Sequence, residues 1–419
     1  MSPSHHHPLE YKKRETKTRL KDDGSHFRNK KKKKKKLELF KRLFQCTDRE
    51  SCLIRKSLWP EWFSSTIPLL RKTSKKIISR IKIPHKCKFV NIGKVVTGSE
   101  DDNRIFTIIF NEEMEDRVPM VIVHGFGSLA FDFVEIAKTI NENETSKRPF
   151  YLFDTIGFNQ SSRPDFFKYP TPDDGSRNGS GNGSGEGNNS LIIPPAFSEF
   201  APPDFLRKKN LVNRAFKAEM EFIKCIEAWR RALNLKKFIL VGHSFGGYLA
   251  ASYAINYPEN ISHLVLADPW GFVEHKPFIT LFRNIIKLPF NPFFYVRLAG
   301  PRIANKISDV ISRHIYYCNV QNPSGEEAFA IMVLGFQYAR NPMINRMHLL
   351  PKDIPLTFIY GNRTWIDTTP AINLRNSRDN TIIRMVPNAG HVVFNDNPEV
   401  FNSLLRDAAL VADRNEGKL

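Results

Sequence analysis

The sequence predicts an α/β fold: a mostly parallel sheet with helices on both faces and a cap inserted between late strands. Three observations carry that expectation. Short apolar runs recur from residue 87 onward, amphipathic stretches separate them, and one run passes through Gly242-His243-Ser244-Phe245-Gly246 into a segment of small residues. Near-continuous apolar strands suit a sheet buried on both faces, the condition of parallel strands joined by helical crossovers.

The chain starts with a different chemistry. Residues 1–86 hold 26 Lys and Arg against 8 Asp and Glu, while the rest of the chain is nearly balanced at 37 against 35. The net charge of +20 therefore belongs to an N-terminal arm, and the folded part lacks the basic excess of a nucleic-acid-binding domain. Residues 1–52, with consecutive lysines from Lys30 to Lys36, are expected to form a disordered basic tail, because the run repels itself and buries nothing. Residues 53–86 read as a Trp-rich amphipathic segment for membrane or lipid-droplet association. Trp59, Trp62 and Phe63 sit beside prolines; Leu69, Leu70, Ile77, Ile78 and Ile81 recur at helical spacing; Lys72, Lys75, Lys76, Arg80 and Lys82 fill the intervening face. Indole rings favour the headgroup region, and a basic helix is attracted to anionic lipid. The competing expectation is that the tryptophans cover the core.

From residue 87 to 419 the strands are FTIIF (106–110), MVIVHG (120–125), FYLFD (150–154), FILVGHS (238–244), HLVLAD (263–268), LTFIYG (356–361) and TIIRMV (381–386). The stretch VNRAFKAEMEFIKCIEAWRRAL supplies one helical crossover. Two segments interrupt the alternation. Residues 171–203 are rich in Gly, Ser and Asn and read as a flexible insertion. Residues 274–350 are too long for a crossover and are expected to cap the strand ends, where ligands bind in such sheets.

Cys46, Cys52, Cys87, Cys225 and Cys318 are scattered and show no paired spacing, so no disulfide framework or zinc site is expected and a reducing compartment is. No apolar run reaches the roughly 18–20 residues that span a bilayer, and the first residues lack the apolar stretch of a secretory signal. The expected location is cytoplasmic, peripherally on lipid droplets or on intracellular membranes such as those of mitochondria or the endoplasmic reticulum.

The chemistry centres on Ser244. A tight strand-to-helix turn with flanking glycines lifts a serine hydroxyl above the sheet, and the helix start adds donors and positive potential. A serine needs a base, and His391 follows a late strand in a Gly-His turn. For the acid, Asp367 in the loop GNRTWID is preferred over Asp268 in ADPWGF, on the rule that the acid follows the last-but-one strand. The backbone N–H groups of Phe245 and of Phe126, in HGFG, are the expected oxyanion donors. Together these predict an α/β-hydrolase fold with a Ser-His-Asp triad, no metal and no cofactor. His391 and Asp396 also form a His-x-x-x-x-Asp pair of the kind found in glycerolipid acyltransferases. The preferred reading is a triad histidine followed by an aspartate near a helix start.

Several stretches resemble one subfamily, the α/β-hydrolase domain-containing proteins four and five. They are DTIGFNQSSRP (154–164), GHSFGGYLAASYA, ADPWGF (267–272), CNVQNPSGEEAF (318–329), YGNRTWID (360–367) and GHVVFNDNPEVFN (390–402), with WPEWFSST (59–66) similar to the subfamily's lipid-association segment. The resemblance implies lipid metabolism. One branch hydrolyses N-acyl phospholipids and their lyso forms; the other is a lipid-droplet protein that activates a triacylglycerol lipase and carries Asn at the nucleophile position. Ser244 fits the first branch, Arg363 resembles the second, and the sequence mixes both. The expected function is a serine ester hydrolase of (lyso)phospholipid acyl chains, with a lipid substrate and an anionic membrane or droplet surface as partners. The alternatives are a lysophosphatidic acid acyltransferase and a co-activator of a triacylglycerol lipase.

Overall fold

A computed structural model of the chain describes residues 67–143, 145–166, 209–274, 309–335 and 338–419. The basic tail, Trp59, Trp62, Phe63, the Gly/Ser insertion and the first part of the cap lie outside the described residues.

The described chain opens with helix α1 (Ile67–Ile78), then strands β1 (Lys86–Gly93), β2 (Asn103–Phe110) and β3 (Met120–Val123), a 3-10 turn (Ala130–Phe133), α2 (Val134–Asn141) and β4 (Phe150–Phe153). It continues through α3 (Lys209–Ala232), β5 (Phe238–His243), α4 (Phe245–Asn256) and β6 (Ile261–Ala267). The described cap holds α5 (Val310–Asn319), α6 (Gly325–Met332) and the hairpin β7 (Val333–Gly335) and β8 (Tyr338–Ala339). The chain ends with β9 (Leu356–Gly361), α7 (Thr369–Ser377), β10 (Thr381–Val386), a helical turn (Val393–Asp396) and α8 (Pro398–Asn415).

Eight strands form one sheet in the order β1-β2-β4-β3-β5-β6-β9-β10. Only β2 breaks the parallel arrangement, pairing antiparallel with β1 and β4. The apolar runs are continuous because both faces of the central strands are covered. Val121, Val123, Leu240, Leu264 and Leu266 pack toward α3 and α4, through Phe222, Trp229 and Leu249. The alternate residues Met120, Ile122, Ile239, Val241 and Val265 pack toward α2 and α8, through Ile136, Ile140, Phe401 and Leu405. Strand β1 escaped the sequence expectation because it lies at the sheet edge. Its residues are mostly exposed, and Lys86 and Lys88 reach Glu112 instead of the core.

α1 buries Leu70, Thr73, Ser74 and Ile77 and packs against α5 of the cap, with Thr73 Oγ1 hydrogen-bonded to His314 Nδ1 at 3.0 Å. The other end of the cap is tied down by a buried cluster. Arg346 meets Glu219 of α3 at 2.6 Å, and Tyr248 of α4 donates to the same carboxylate at 2.7 Å.

A second buried ion pair secures the C-terminal helix. Asp413 of α8 accepts from Arg148 at 3.0 Å and from the Val118 N–H at 2.9 Å, just ahead of β3. Both side chains are almost fully buried. Removing one partner strands a buried charge, so Asp413→Ala is expected to lower unfolding free energy by about 3–5 kcal/mol, read from the urea midpoint. A loss within the range of an exposed ion pair, below about 1 kcal/mol, would show that the guanidinium finds solvent.

Candidate active site

β5 carries its backbone straight into the nucleophile turn. Ser244 sits at φ +54°, in the left-handed region that L-residues seldom occupy, and it immediately precedes α4. Such strain holds a side chain where relaxed backbone would not. Gly246 makes the turn possible, because a Cβ there would collide with the carbonyl oxygens of Val123 and His124 on the neighbouring strand. The strand register thus forces the small residues that the sequence shows around the serine.

His391 meets Ser244 as expected: its Nε2 lies 2.9 Å from Ser244 Oγ. The acid is not the one preferred from sequence. His391 Nδ1 donates to Asp268 Oδ2 at 2.7 Å, while Asp367 accepts from the backbone N–H of Thr369 at 2.9 Å, in the turn just ahead of α7. Asp268 is fully buried, at φ +46°, directly after β6. That strand lies between β5 and β9, so the carboxylate rises beside the serine. The end of β9 and the loop after it supply donors to this carboxylate, since the Gly361 N–H donates to Asp268 at 3.3 Å and Thr364 Oγ1 at 2.5 Å. A carboxylate only accepts. The proton of the imidazole is therefore on Nδ1, and Nε2 is left to accept from Ser244.

Three further residues hold the histidine loop. His243 Nε2 donates to the His391 carbonyl at 2.9 Å, and burial pushes its imidazole down to about 3, so this ring stays neutral. Arg363 donates from its backbone to Ala389 O and from its guanidinium to Asn388 Oδ1, both at 2.8 Å. Asp396 accepts the Gly390 N–H at 2.8 Å. That corrects the helix-start expectation: Asn397 caps α8 by accepting from the Val400 N–H, with Pro398 at the first helical position, and Asp396 reaches back to the loop. Trp365 lays its ring 4.8 Å from the imidazole centroid.

The expected oxyanion residues flank the serine. Phe245 is the first residue of α4, where backbone N–H groups have no intrahelical acceptor. Phe126 lies on the loop after β3, whose backbone presses on the turn so closely that a Cβ on Gly125 would sit 3.0 Å from Ser244 Cβ. That loop is pinned from β4. The Thr155 N–H donates to His124 Nε2 at 2.9 Å, His124 Nδ1 donates to Gly125 O at 2.8 Å, and Asp154 accepts the Ala130 N–H at 2.9 Å. Asn159 closes the frame by donating to Ser128 O at 2.8 Å. The stretch DTIGFNQS is therefore scaffolding for the loop after β3 that carries Phe126, a role sequence reasoning missed because its partners lie on another strand.

The cap motif PSGEEAF docks on the same scaffold. The Gly325 N–H donates to Gly157 O at 3.0 Å, and Arg163 holds Glu326 at 3.3 Å and Cys318 O at 3.0 Å. This delivers Phe329 of α6 onto Phe126, stacked at 4.4 Å, and against Phe245 at 4.7 Å and Trp270 at 5.0 Å. An aromatic wall thus adjoins the serine.

Burial pushes the Asp154 carboxyl up to about 6 despite its hydrogen bonds. The folded chain then binds this proton more tightly than the unfolded chain. The associated stability is full below about pH 4 and is lost as pH rises through about 6. Relative to Asp154→Asn, the wild type is expected to lose about 3 kcal/mol of unfolding free energy between about pH 4 and about pH 7. A flat difference across that range would refute the shift.

Among the described residues no group of His, Cys, Asp and Glu could hold a metal ion, and no helix is long and apolar enough to cross a membrane.

A family model for the alpha/beta hydrolase fold matches residues 118–303. The chain is 33% identical to the (lyso)-N-acylphosphatidylethanolamine lipase of Homo sapiens, over 73% of this chain and 83% of that protein. It is 30% identical to the 1-acylglycerol-3-phosphate O-acyltransferase ABHD5 of Mus musculus, over 82% of this chain and 90% of that protein. Among solved structures, the carboxylesterase CesB of Bacillus subtilis superposes with a TM-score of 0.52 at 14% identity, covering 82% of this chain and 98% of its own. A bacterial membrane phospholipase A gives 0.52 at 18% identity, covering 84% and 93%. These two likenesses concern the fold.

Proposed function

Because the chain belongs to the α/β-hydrolase domain-containing four and five subfamily, we propose that it is a serine ester hydrolase acting on the acyl chains of lysophospholipids and N-acyl phospholipids. The observation that carries this reading is the continuous relay from Ser244 Oγ through His391 to buried Asp268. Ser244 Oγ attacks the acyl carbonyl as His391 Nε2 takes its proton, and Asp268 stabilises the imidazolium without becoming protonated. The oxyanion is met by the N–H groups of Phe245 and Phe126. Collapse of the tetrahedral intermediate breaks the ester bond, and His391 returns the proton to the leaving alcohol. Water then attacks the acyl-Ser244 ester by the same route, releasing the fatty acid.

The acyl chain fits the aromatic wall around Phe126 and Phe329, which can exclude water from its methylenes. The phospholipid headgroup is inferred from relatives named as lipases of (lyso)-N-acylphosphatidylethanolamine. The protein is read as peripheral, on a lipid-droplet or intracellular membrane surface. Incubation of the purified chain with N-acyl lysophosphatidylethanolamine is expected to release free fatty acid, measured by mass spectrometry. Turnover of simple soluble esters with no release from any phospholipid would sink the substrate assignment and leave the esterase assignment standing.

A second reading is acyl transfer to 1-acylglycerol-3-phosphate, favoured by the relatives that carry that name. It would run through the same acyl-Ser244, with the lipid alcohol replacing water. A serine-free route through His391 and Asp396 lacks its carboxylate, which is engaged by the Gly390 N–H. Activation of a partner lipase through Arg363 would be recognised by its survival in Ser244→Ala.

A further inference from the structure

Two rings flank the His391 imidazole, with different consequences for its charge. The centroid of His243 lies 5.1 Å away, tilted by 43°, and that of Trp365 lies 4.8 Å away, tilted by 45°. Burial pushes the His243 imidazole down to about 3. This ring therefore adds no second positive charge when His391 becomes an imidazolium. The indole offers an electron-rich face instead, and tryptophan is the side chain that attracts a cation most strongly within about 6 Å of its ring centroid.

Trp365 is held at this distance by its neighbours in the chain. Thr364 Oγ1 donates to Asp268 at 2.5 Å and accepts the Ile366 N–H at 3.1 Å, so the residues on either side of the tryptophan are tied to the carboxylate beside His391. Arg363, just ahead, bonds Ala389 O and Asn388 Oδ1 in the histidine loop. The loop after β9 thus grips the acid and the base together and carries the indole between those grips. Core packing does not account for the ring: Trp365 is 41% exposed, whereas the adjacent Ile366 is buried. The charge on His391 exists only once Nε2 has taken the Ser244 proton. Attraction to the indole is therefore stronger in the transition state than in the resting enzyme, which is the condition for an interaction to raise kcat.

We propose that Trp365 is a positioning residue of the Ser244–His391–Asp268 relay, whose indole face stabilises the His391 imidazolium as the proton leaves Ser244. The inference rests on the serine hydrolase reading and deepens it. Asp268 meets the imidazolium at Nδ1 through a charge-assisted hydrogen bond, and Trp365 meets the ring itself through its π electrons.

The test uses the full chain, one soluble short-chain ester, and the rate at which a fluorophosphonate probe labels Ser244. Trp365→Leu is expected to lower kcat by about three- to tenfold with KM unchanged, and Trp365→Phe to fall between it and the wild type. Tryptophan analogues with one, two and three ring fluorines, placed only at position 365, keep the shape of the indole while draining charge from its face. Both kcat and the labelling rate are expected to fall stepwise along this series. Fluorinated chains as fast as the unmodified one would overturn the proposal and leave the indole a spacer. A rise in KM with kcat unchanged would also overturn it, making Trp365 a substrate contact. A wild type that is labelled but hydrolyses no ester would sink the hydrolase reading, and the labelling rates would still decide the role of Trp365. A chain neither labelled nor active would remove the relay and this inference with it.

Discussion

Ser244→Ala is expected to cut ester hydrolysis by about a millionfold and to abolish labelling by a fluorophosphonate probe. The size follows from the geometry. Ser244 Oγ is the atom facing His391 Nε2, at 2.9 Å, and alanine leaves the imidazole with nothing to deprotonate in that position. Residual rate should come only from the oxyanion loop and substrate binding, about 10³–10⁴ above water. Thermal stability should change little, because among the described residues the Ser244 hydroxyl makes no hydrogen bond besides the one to His391, and alanine keeps the Cβ that the turn already accommodates. The same variant separates the acyl-transfer readings. Transfer to a lysophospholipid that disappears with Ser244 runs through an acyl-enzyme. Transfer that survives in Ser244→Ala and is lost in Asp396→Asn would instead require the His-x-x-x-x-Asp pair and would overturn the present assignment.

Asp268→Asn is expected to lower kcat by about 10⁴, whereas Asp367→Asn should leave it nearly unchanged. Asp268 is buried and takes the Nδ1 proton of His391 as a hydrogen bond at 2.7 Å. An asparagine amide can donate to Nδ1, which stabilises the tautomer with its proton on Nε2, and that atom can no longer accept from Ser244. Asp367 only accepts the Thr369 N–H, a bond that an asparagine oxygen also accepts. Steady-state rates of the two variants on one soluble ester decide the matter. Equal losses, or a larger loss at Asp367, would show that the loop after β9 rearranges to bring the second carboxylate to the imidazole.

Much of the sheet was legible in sequence because burial on both faces writes itself as continuous apolar runs, and β2 to β6, β9 and β10 were read that way. β1 was not, since an edge strand with lysines outward carries no such run. The pairing of Ser244 with His391 was also legible, because the turn after β5 admits only small neighbours and leaves the serine at φ +54°. The carboxylate beside the imidazole was expected to be Asp367 and is Asp268. Chain order ranks Asp268 and Asp367 by which strand they follow, but only the sheet order puts β6 beside β5 and aims the buried Asp268 at His391.

The sequence by itself determined the α/β architecture, the serine turn and the histidine, since each depends on local patterning of apolar, glycine and turn residues. Tertiary structure alone decided which carboxylate reaches the histidine and how DTIGFNQS and PSGEEAF brace the loop after β3. Those outcomes depend on hydrogen bonds and charges meeting within a few ångströms across separate elements, and linear spacing carries no record of such meetings.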